Sequence, residues 1–164
     1  VSLIVGGPNN YYDFNEKEIG FLFNKIKIIF SPDKYKLIVV PSYRTPKNII
    51  DMSFGVFGDD HVVVKSVDKK AYLSALSLAD YIVVTSDSTS MISESAVTGK
   101  PIYIANMKAK KSSKRFNKFY NQFKQMKIIR DLENNIETWG YNKLDEASRV
   151  AAIIKKKMNL NGIN

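Results

Sequence analysis

The sequence has no cysteine, a single histidine, and no apolar run that approaches the thickness of a bilayer. Without cysteine there is no disulfide bond and no thiolate metal site. His61, the lone histidine, cannot build a histidine-rich metal centre. A membrane-spanning helix needs about 20 consecutive apolar residues. We therefore expect a cytoplasmic protein without a membrane-spanning helix, which at most contacts a membrane peripherally.

Acidic residues are scarce relative to basic ones: 16 Asp and Glu stand against 25 Lys and Arg, a net charge of +9. A surplus of this sign favours an anionic partner, such as phosphate groups, nucleic acid or acidic lipid. A lysine-rich surface also serves solubility alone. Composition leaves both explanations open.

The length of 164 residues and the hydrophobic content of 45% suit one domain with its own core, residues 1–164. The chain begins at Val1 rather than methionine and enters the apolar segment "SLIV" at once. We interpret it as a piece of a longer chain that begins at a strand.

Five short runs rich in Val and Ile are predicted as strands: Ser2–Val5, Lys36–Val40, His61–Lys65, Asp80–Thr85 and Pro101–Ile104. They show little polar alternation, which is typical of strands buried on both faces of a parallel sheet. The sequence therefore predicts an α/β fold, a doubly wound and mostly parallel Rossmann-like sheet of about five or six strands flanked by helices.

Helical patterns fill the intervals between these strands. Predicted helix starts are Asn15, Thr45-Pro46, Asp68, and Asp87 or Ser88. Gly99 fits the left-handed position that ends a helix. Residues 107–127 and 144–158 are also predicted to be helical.

Polar clusters follow three of the predicted strands. They are Gly6-Gly7 after the first strand, Ser42, Arg44 and Thr45 after the second, and Ser86, Asp87, Ser88 and Ser90 after the fourth. The carboxyl ends of parallel strands share one edge of a sheet, which is where such folds bind ligands. Backbone N–H groups, hydroxyls and a guanidinium together predict a phosphate or diphosphate site at this edge.

Glu94 adds a second element to this hypothesis. It lies four residues after Ser90, and therefore one turn further along the same face of the predicted helix. From there a carboxylate could accept hydrogen bonds from the hydroxyls of a ribose whose phosphate rests at the helix tip. A glutamate that only faces solvent is the alternative.

Several segments together resemble the mitochondrial fission "elongated mitochondria" family, which has plant and bacterial members. They are "IVGGPNNYY", "SYRTP", "SDSTSMISES" with "TGKP", "KSSKRFNKFYNQF" and "WGYNKLDEASRVAAIIKK". The stretch "ADYIVVTSDSTSMISESAVTGKPIYI" is also similar to the signature of the C-terminal, nucleotide-binding half of GT-B glycosyltransferases. Together these similarities cover nearly the whole chain.

This resemblance implies a nucleotide-diphosphate sugar as the donor substrate, with no bound cofactor and no metal. It implies that Gly6, Gly7, Asp87, Ser88 and Ser90 cradle the diphosphate. Arg44 would stabilise the leaving group and Glu94 would bind the ribose. A missing N-terminal domain would be the partner that supplies the general base, so the isolated domain is expected to be inactive.

Two points keep other functions open. Tyr43 stands where members of the family often have a second arginine, and the activity of the family is poorly defined. A non-catalytic scaffold or adaptor acting at a membrane is therefore the main alternative. A nucleotide-sugar epimerase or hydrolase is a weaker one.

The segment "MKAKKSSKRFNKFYNQFKQMK" combines aromatic residues at helical spacing with seven cations between Lys108 and Lys124. Its aromatic stripe indicates core packing beneath a solvated basic face. A basic amphipathic helix can also contact an anionic membrane surface. No RNA-binding signature accompanies the charge, so nucleic acid is not the expected partner.

Overall fold

The computed structural model describes residues 1–160, along which strands and helices alternate. The strands are β1 (Ser2–Val5), β2 (Ile38–Pro41), β3 (Val62–Val63), β4 (Ile82–Thr85), β5 (Ile102–Ala105) and β6 (Ile129–Asp131). The helices are α1 (Glu16–Ile29), α2 (Lys47–Phe57), α3 (Lys69–Leu78), α4 (Thr89–Ala96), α5 (Lys114–Gln125) and α6 (Glu146–Leu160). The end of the predicted domain, residues 161–164, lies outside the described residues.

All six strands join one parallel sheet in the order β3-β2-β1-β4-β5-β6. This confirms the predicted Rossmann-like α/β class. The strand order reverses between β1 and β4, and ligands of such sheets bind in the crevice at that reversal. Leu3 pairs with both Val39 and Val83, which aligns the ends of the three central strands.

Alternate residues of each central strand enter two separate cores. Leu3 and Val5 face a core that includes Phe23 of α1 and Phe57 of α2. Ile4 faces the opposite core, which includes residues of α3, α4 and α5. Strands buried on both faces explain the nearly continuous apolar runs in the sequence.

Side chains predicted as helix caps occupy those positions. The Asn15 carboxamide accepts a hydrogen bond from the Lys17 N–H, and the Asp68 carboxylate accepts from the Lys70 and Ala71 N–H groups. Of the two candidates for α4, Ser88 is the cap. Gly99 has φ 76°, the left-handed conformation predicted for it. The caps could be predicted from the sequence because capping depends only on neighbouring residues.

The sequence prediction was wrong at three places. The sixth strand, β6, was not among the predicted strands, and β3 has two residues instead of five. Within the predicted helix 107–127, only Lys114–Gln125 is helical. A short apolar pair inside a basic segment carries no strand signal of its own, so the pairing of β6 with β5 depends on tertiary contacts.

His61 is buried just before β3, and its Nδ1 accepts a hydrogen bond from the Leu37 N–H at 3.4 Å. Its Nε2 has no hydrogen-bond partner among the described residues. Burial lowers the pKa of this imidazole from its ordinary value. The folded protein therefore disfavours the protonated ring more than the unfolded chain does.

This burial predicts a pH-dependent stability. Because the unfolded state binds the proton more tightly, the stability is complete above pH about 6.5 and declines as the pH falls through the lowered pKa. We expect the urea midpoint to drop on acidification, and to drop less in His61→Gln, which has no titrating ring. Equal acid dependence in the two proteins would contradict this explanation.

Within residues 1–160, none of the helices combines the length and apolarity that crossing a membrane requires.

Candidate functional site

The loops after β1, β2 and β4 meet around Asp87, whose side chain is 0% exposed. Its carboxylate accepts hydrogen bonds from the Gly7 N–H at 3.1 Å, from the Thr85 hydroxyl at 2.7 Å and from the Arg44 guanidinium at 2.7 Å. The three donors come from the ends of three different strands: Gly7 follows β1, Arg44 follows β2 and Thr85 ends β4. Asp87 therefore holds the loops together from within.

Arg44 bridges the same loops from the solvent side. Besides Asp87, its guanidinium donates to the carbonyls of Gly7 at 2.6 Å and Pro8 at 3.3 Å. The side chain is 40% exposed. A guanidinium has five N–H donors, so these contacts leave part of the group directed at the solvent.

Gly6 and Gly7 are required by close packing. A Cβ on Gly6 would lie 2.2 Å from the Asp87 carboxylate, and one on Gly7 would lie 1.9 Å from the Arg44 carbonyl oxygen. The Gly6 N–H donates to the Thr85 hydroxyl, and that of Gly7 to Asp87. Both N–H groups, which the sequence pattern predicted to bind a diphosphate, therefore have acceptors within the protein.

Thr45 and Ser86 also make internal contacts. The Thr45 hydroxyl is within hydrogen-bond distance of the Val5 and Gly6 carbonyls. The Ser86 hydroxyl accepts from the Met107 N–H, and its carbonyl accepts from the Tyr120 hydroxyl. These two residues fix the loops to β1 and to the segment after β5.

A cavity of about 450 Å³ opens beside this junction; we call it the first cavity. It is lined by Asn9, Asn10, Tyr11, Ser42, Tyr43, Arg44, Asp87, Ser88, Thr89, Ser90, Met91, Arg115 and Phe116. The first turn of α4 forms one wall. There the Ser88 hydroxyl accepts from the Met91 N–H, whereas the N–H groups of Thr89 and Ser90 precede the first intrahelical bond.

These features make the first cavity electropositive. The unpaired N–H groups of a helix N-terminus carry partial positive charge, and Arg44 and Arg115 add two guanidinium groups. The carboxylate of Asp87 is covered and already neutralised by Arg44. An anion with several oxygens, such as a phosphate, suits this wall.

A second cavity of about 450 Å³ adjoins the first. Ser42, Tyr43 and Met91 line both cavities. The other residues of the second cavity are Ile4, Pro41, Val67, Asp68, Lys69, Tyr72, Leu73 and Glu94. Its wall is thus largely apolar, and one hydrogen-bonded pair of polar side chains lies on it in addition to Ser42, Asp68 and Lys69.

That pair is Tyr72 and Glu94, from α3 and α4. The Tyr72 hydroxyl donates to the Glu94 carboxylate at 2.7 Å. Partial burial, followed by this hydrogen bond to the carboxylate, raises the pKa of Tyr72 well above its ordinary value. The phenol therefore stays protonated at neutral pH and orients the carboxylate towards the cavity.

The predicted site residues divide into two sets. Ser42, Arg44, Ser88 and Ser90 line the first cavity and Glu94 the second. Gly6, Gly7, Thr45, Ser86 and the Asp87 carboxylate lie behind the wall, where they shape it. Arg115, Tyr11 and Tyr72 also line the cavities and were missed. Their proximity follows from the strand order, which no local motif encodes.

Within residues 1–160, no group of three or more His, Cys, Asp or Glu side chains has the arrangement of a metal site.

A six-stranded parallel sheet with a polar cavity at its reversal point defines an α/β protein of the Rossmann-like class. Within that class the chain belongs to a specific family, described as mitochondrial fission ELM1, whose family model matches residues 1–158.

Two curated relatives extend this assignment. An uncharacterized protein, RP120, of Rickettsia prowazekii is 34% identical over 98% of this chain and 47% of its own length. The mitochondrial fission protein ELM1 of Arabidopsis thaliana is 29% identical over 74% of this chain and 29% of its own length. The chain thus spans about half the length, or less, of the relatives it matches.

Proposed function

We propose that this domain binds a nucleotide-diphosphate sugar and acts as the donor-binding half of a GT-B-like glycosyltransferase. The observation that carries the proposal is the pair of adjoining cavities at the reversal point of the sheet. One has an electropositive polar wall, and the other has a largely apolar wall on which Tyr72 orients the Glu94 carboxylate. A nucleotide has the same two parts, an anionic diphosphate and a nucleoside.

The first cavity accounts for the diphosphate. The α4 N-terminus supplies N–H donors, Ser42, Ser88 and Ser90 supply hydroxyls, and Arg44 and Arg115 supply positive charge. Among these groups, Arg44 is held in place by the buried Asp87, so its guanidinium needs little reorganisation when an anion binds. In glycosyl transfer these groups would stabilise the charge that develops on the departing diphosphate.

The second cavity accounts for the nucleoside. Glu94 can accept hydrogen bonds from vicinal ribose hydroxyls, and Tyr72 fixes its orientation. Met91, Leu73 and Val67 offer apolar contact for a base. Ligand cavities commonly combine such apolar walls with a few placed polar groups.

The acceptor site and general base are assigned to the remainder of the longer family members. The α6 helix carries an apolar stripe at Ala147, Val150, Ala151, Ile154 and Met158. Val150, Ile154 and Met158 are 44%, 51% and 43% exposed in this chain. We propose that this stripe packs against the additional half that relatives such as the Rickettsia protein contain. The domain alone is therefore expected to bind the donor without turnover.

A titration of the 164-residue chain with UDP and GDP, followed by backbone amide chemical shifts, tests this proposal. We expect shifts at residues 42–44, 88–91 and 94, which line the two cavities. The absence of any shift at millimolar nucleotide or nucleotide-sugar would overturn donor binding. It would favour the alternative, a non-catalytic scaffold or adaptor of the mitochondrial fission family.

Glu94→Gln separates nucleoside recognition from phosphate recognition. The neutral amide keeps one acceptor oxygen in place of a charged carboxylate with two, which is expected to weaken binding of the preferred nucleotide roughly tenfold, the effect of a hydrogen bond to a charged group. Binding of inorganic diphosphate should not weaken. Calorimetry measures both ligands, with the exposed Glu133→Gln as a charge-matched control. Equal losses for nucleotide and diphosphate would show that Glu94 does not contact the ribose.

A further inference from the structure

The entire net charge of the protein is concentrated in one short segment. Residues 106–130 contain nine Lys and Arg and no Asp or Glu. The chain as a whole has 25 basic and 16 acidic residues. Outside this segment, basic and acidic residues are therefore equal in number. If the excess of basic residues served solubility alone, we would expect these residues to be spread over the whole chain.

Most of these cations are exposed and lack a carboxylate partner. Lys110 pairs with Asp13, Lys124 with Asp131, and Arg130 with Glu137. By contrast, no carboxylate within residues 1–160 forms an ion pair with Lys108, Lys111, Lys114, Arg115 or Lys118. We call these five exposed residues the basic face.

Part of the basic face lies on α5, in a position that opposes folding stability. Lys114, Arg115 and Lys118 lie in the first turns of the helix, and the first turn holds no acidic residue. Cations at a helix N-terminus repel its partial positive charge. Phe116 and Phe123 nevertheless bury the opposite side of the helix and fix the face towards solvent. An external anion would relieve this repulsion.

The basic face continues into the candidate site. Arg115 lines the first cavity. Lys111 lies over the ring of Tyr11, another lining residue, at 5.2 Å from its centroid. A surface that engaged these cations would therefore lie beside the cavity mouth.

We propose that the basic face binds the surface of an anionic lipid bilayer and holds the first cavity next to it. Lysine-rich clusters bind such surfaces through their diffuse negative potential. The face has few features of a nucleic-acid site. The aromatic residues of α5 are buried or half-buried in the core instead of exposed as stacking platforms. This binding requires no nucleotide, so it can succeed or fail independently of the proposed function.

Co-sedimentation with vesicles tests the proposal. We expect the parent chain to sediment with phosphatidylcholine vesicles that contain phosphatidylserine, and to remain in solution with phosphatidylcholine alone. Binding should be strong at an ionic strength of about 0.1 M and be lost near 1 M, where the Debye length shrinks to about 3 Å. Soluble glycerophosphoserine at millimolar concentration should not compete, because a single headgroup lacks the surface potential.

Two quadruple variants with the same net charge isolate the basic face. Lys108, Lys111, Lys114 and Lys118 are changed to Gln in one, and the exposed Lys17, Lys34, Lys65 and Lys70 in the other. The first should lose vesicle affinity on the order of a hundredfold, and the second less than about fivefold. The first should also melt no lower than the parent, since it removes cations from a helix N-terminus.

Three outcomes would overturn the proposal. Equal losses in the two variants would attribute binding to net charge alone. No sedimentation of the parent chain with anionic vesicles would exclude the bilayer. Tighter binding to a short duplex DNA than to the vesicles, measured at the same ionic strength, would assign the face to nucleic acid.

Discussion

Replacing Asp87 with alanine is expected to destabilise the domain by about 2–4 kcal/mol. The change leaves the buried Gly7 N–H and Thr85 hydroxyl without their acceptor, and each such group costs about 1–3 kcal/mol. Arg44 also loses its ion pair, but its guanidinium is 40% exposed and water can partly replace the carboxylate. The unpaired buried donors therefore dominate the loss.

Urea denaturation measures this effect, with Asp51→Ala as the control. Asp51 forms an exposed ion pair with Lys47, and the loss of such a pair costs at most about 1 kcal/mol. Asp87→Asn retains an acceptor for one of the two buried donors. Its loss of stability should therefore lie between those of Asp87→Ala and Asp51→Ala. Destabilisation by Asp87→Ala no greater than that by Asp51→Ala would show that the buried carboxylate does not join the loops.

Gly7→Ala is expected to destabilise the domain by about 3 kcal/mol and to weaken any ligand binding in the first cavity. The added Cβ would lie 1.9 Å from the carbonyl oxygen and 2.2 Å from the carbonyl carbon of Arg44. Backbone atoms cannot move aside by rotating about a side-chain bond, so the loops after β1 and β2 must separate. Overpacking of this kind typically costs 1–3 kcal/mol and occasionally more.

Gly55→Ala provides the matched comparison. Gly55 lies within α2, and a Cβ there would meet nothing within 4 Å. The same substitution should therefore stabilise the protein by about 0.5–1 kcal/mol, because alanine has the higher helix propensity. Thermal or urea unfolding of both variants gives the contrast. Similar changes in stability at Gly7 and Gly55 would mean that the backbone of Arg44 does not lie against Gly7.

Gly7 also shows how far a sequence argument reaches at the candidate site. The glycine pair after an apolar strand correctly indicated a loop at the carboxyl edge of a parallel sheet. The pattern suggested that its N–H groups face a diphosphate. In the structure they donate to Thr85 and Asp87, which are 79 and 80 residues away from their donors. An acceptor so distant in sequence leaves no mark on the local pattern.

For Glu94 in the second cavity, the sequence likewise predicted only part of the arrangement. The sequence predicted that Glu94 lies on a helix, one turn beyond Ser90. In the structure Glu94 lies on α4, the helix capped by Ser88. Its hydrogen-bond donor, Tyr72, belongs to α3. Whether α3 packs beside α4 depends on β4 inserting next to β1 instead of β3. The carboxylate was therefore predictable, and its orientation was not.

The sequence by itself determined the strand–helix alternation, the helix caps, the polar edge and the family. These depend on residue periodicity, on local hydrogen bonding and on similarity along the chain. Only the tertiary structure decided which loops join at Asp87, that β6 completes the sheet, and that Tyr72 and Arg115 line the cavities. Those outcomes follow from burying two opposite faces of one sheet, a condition that the whole chain satisfies together and no short segment encodes.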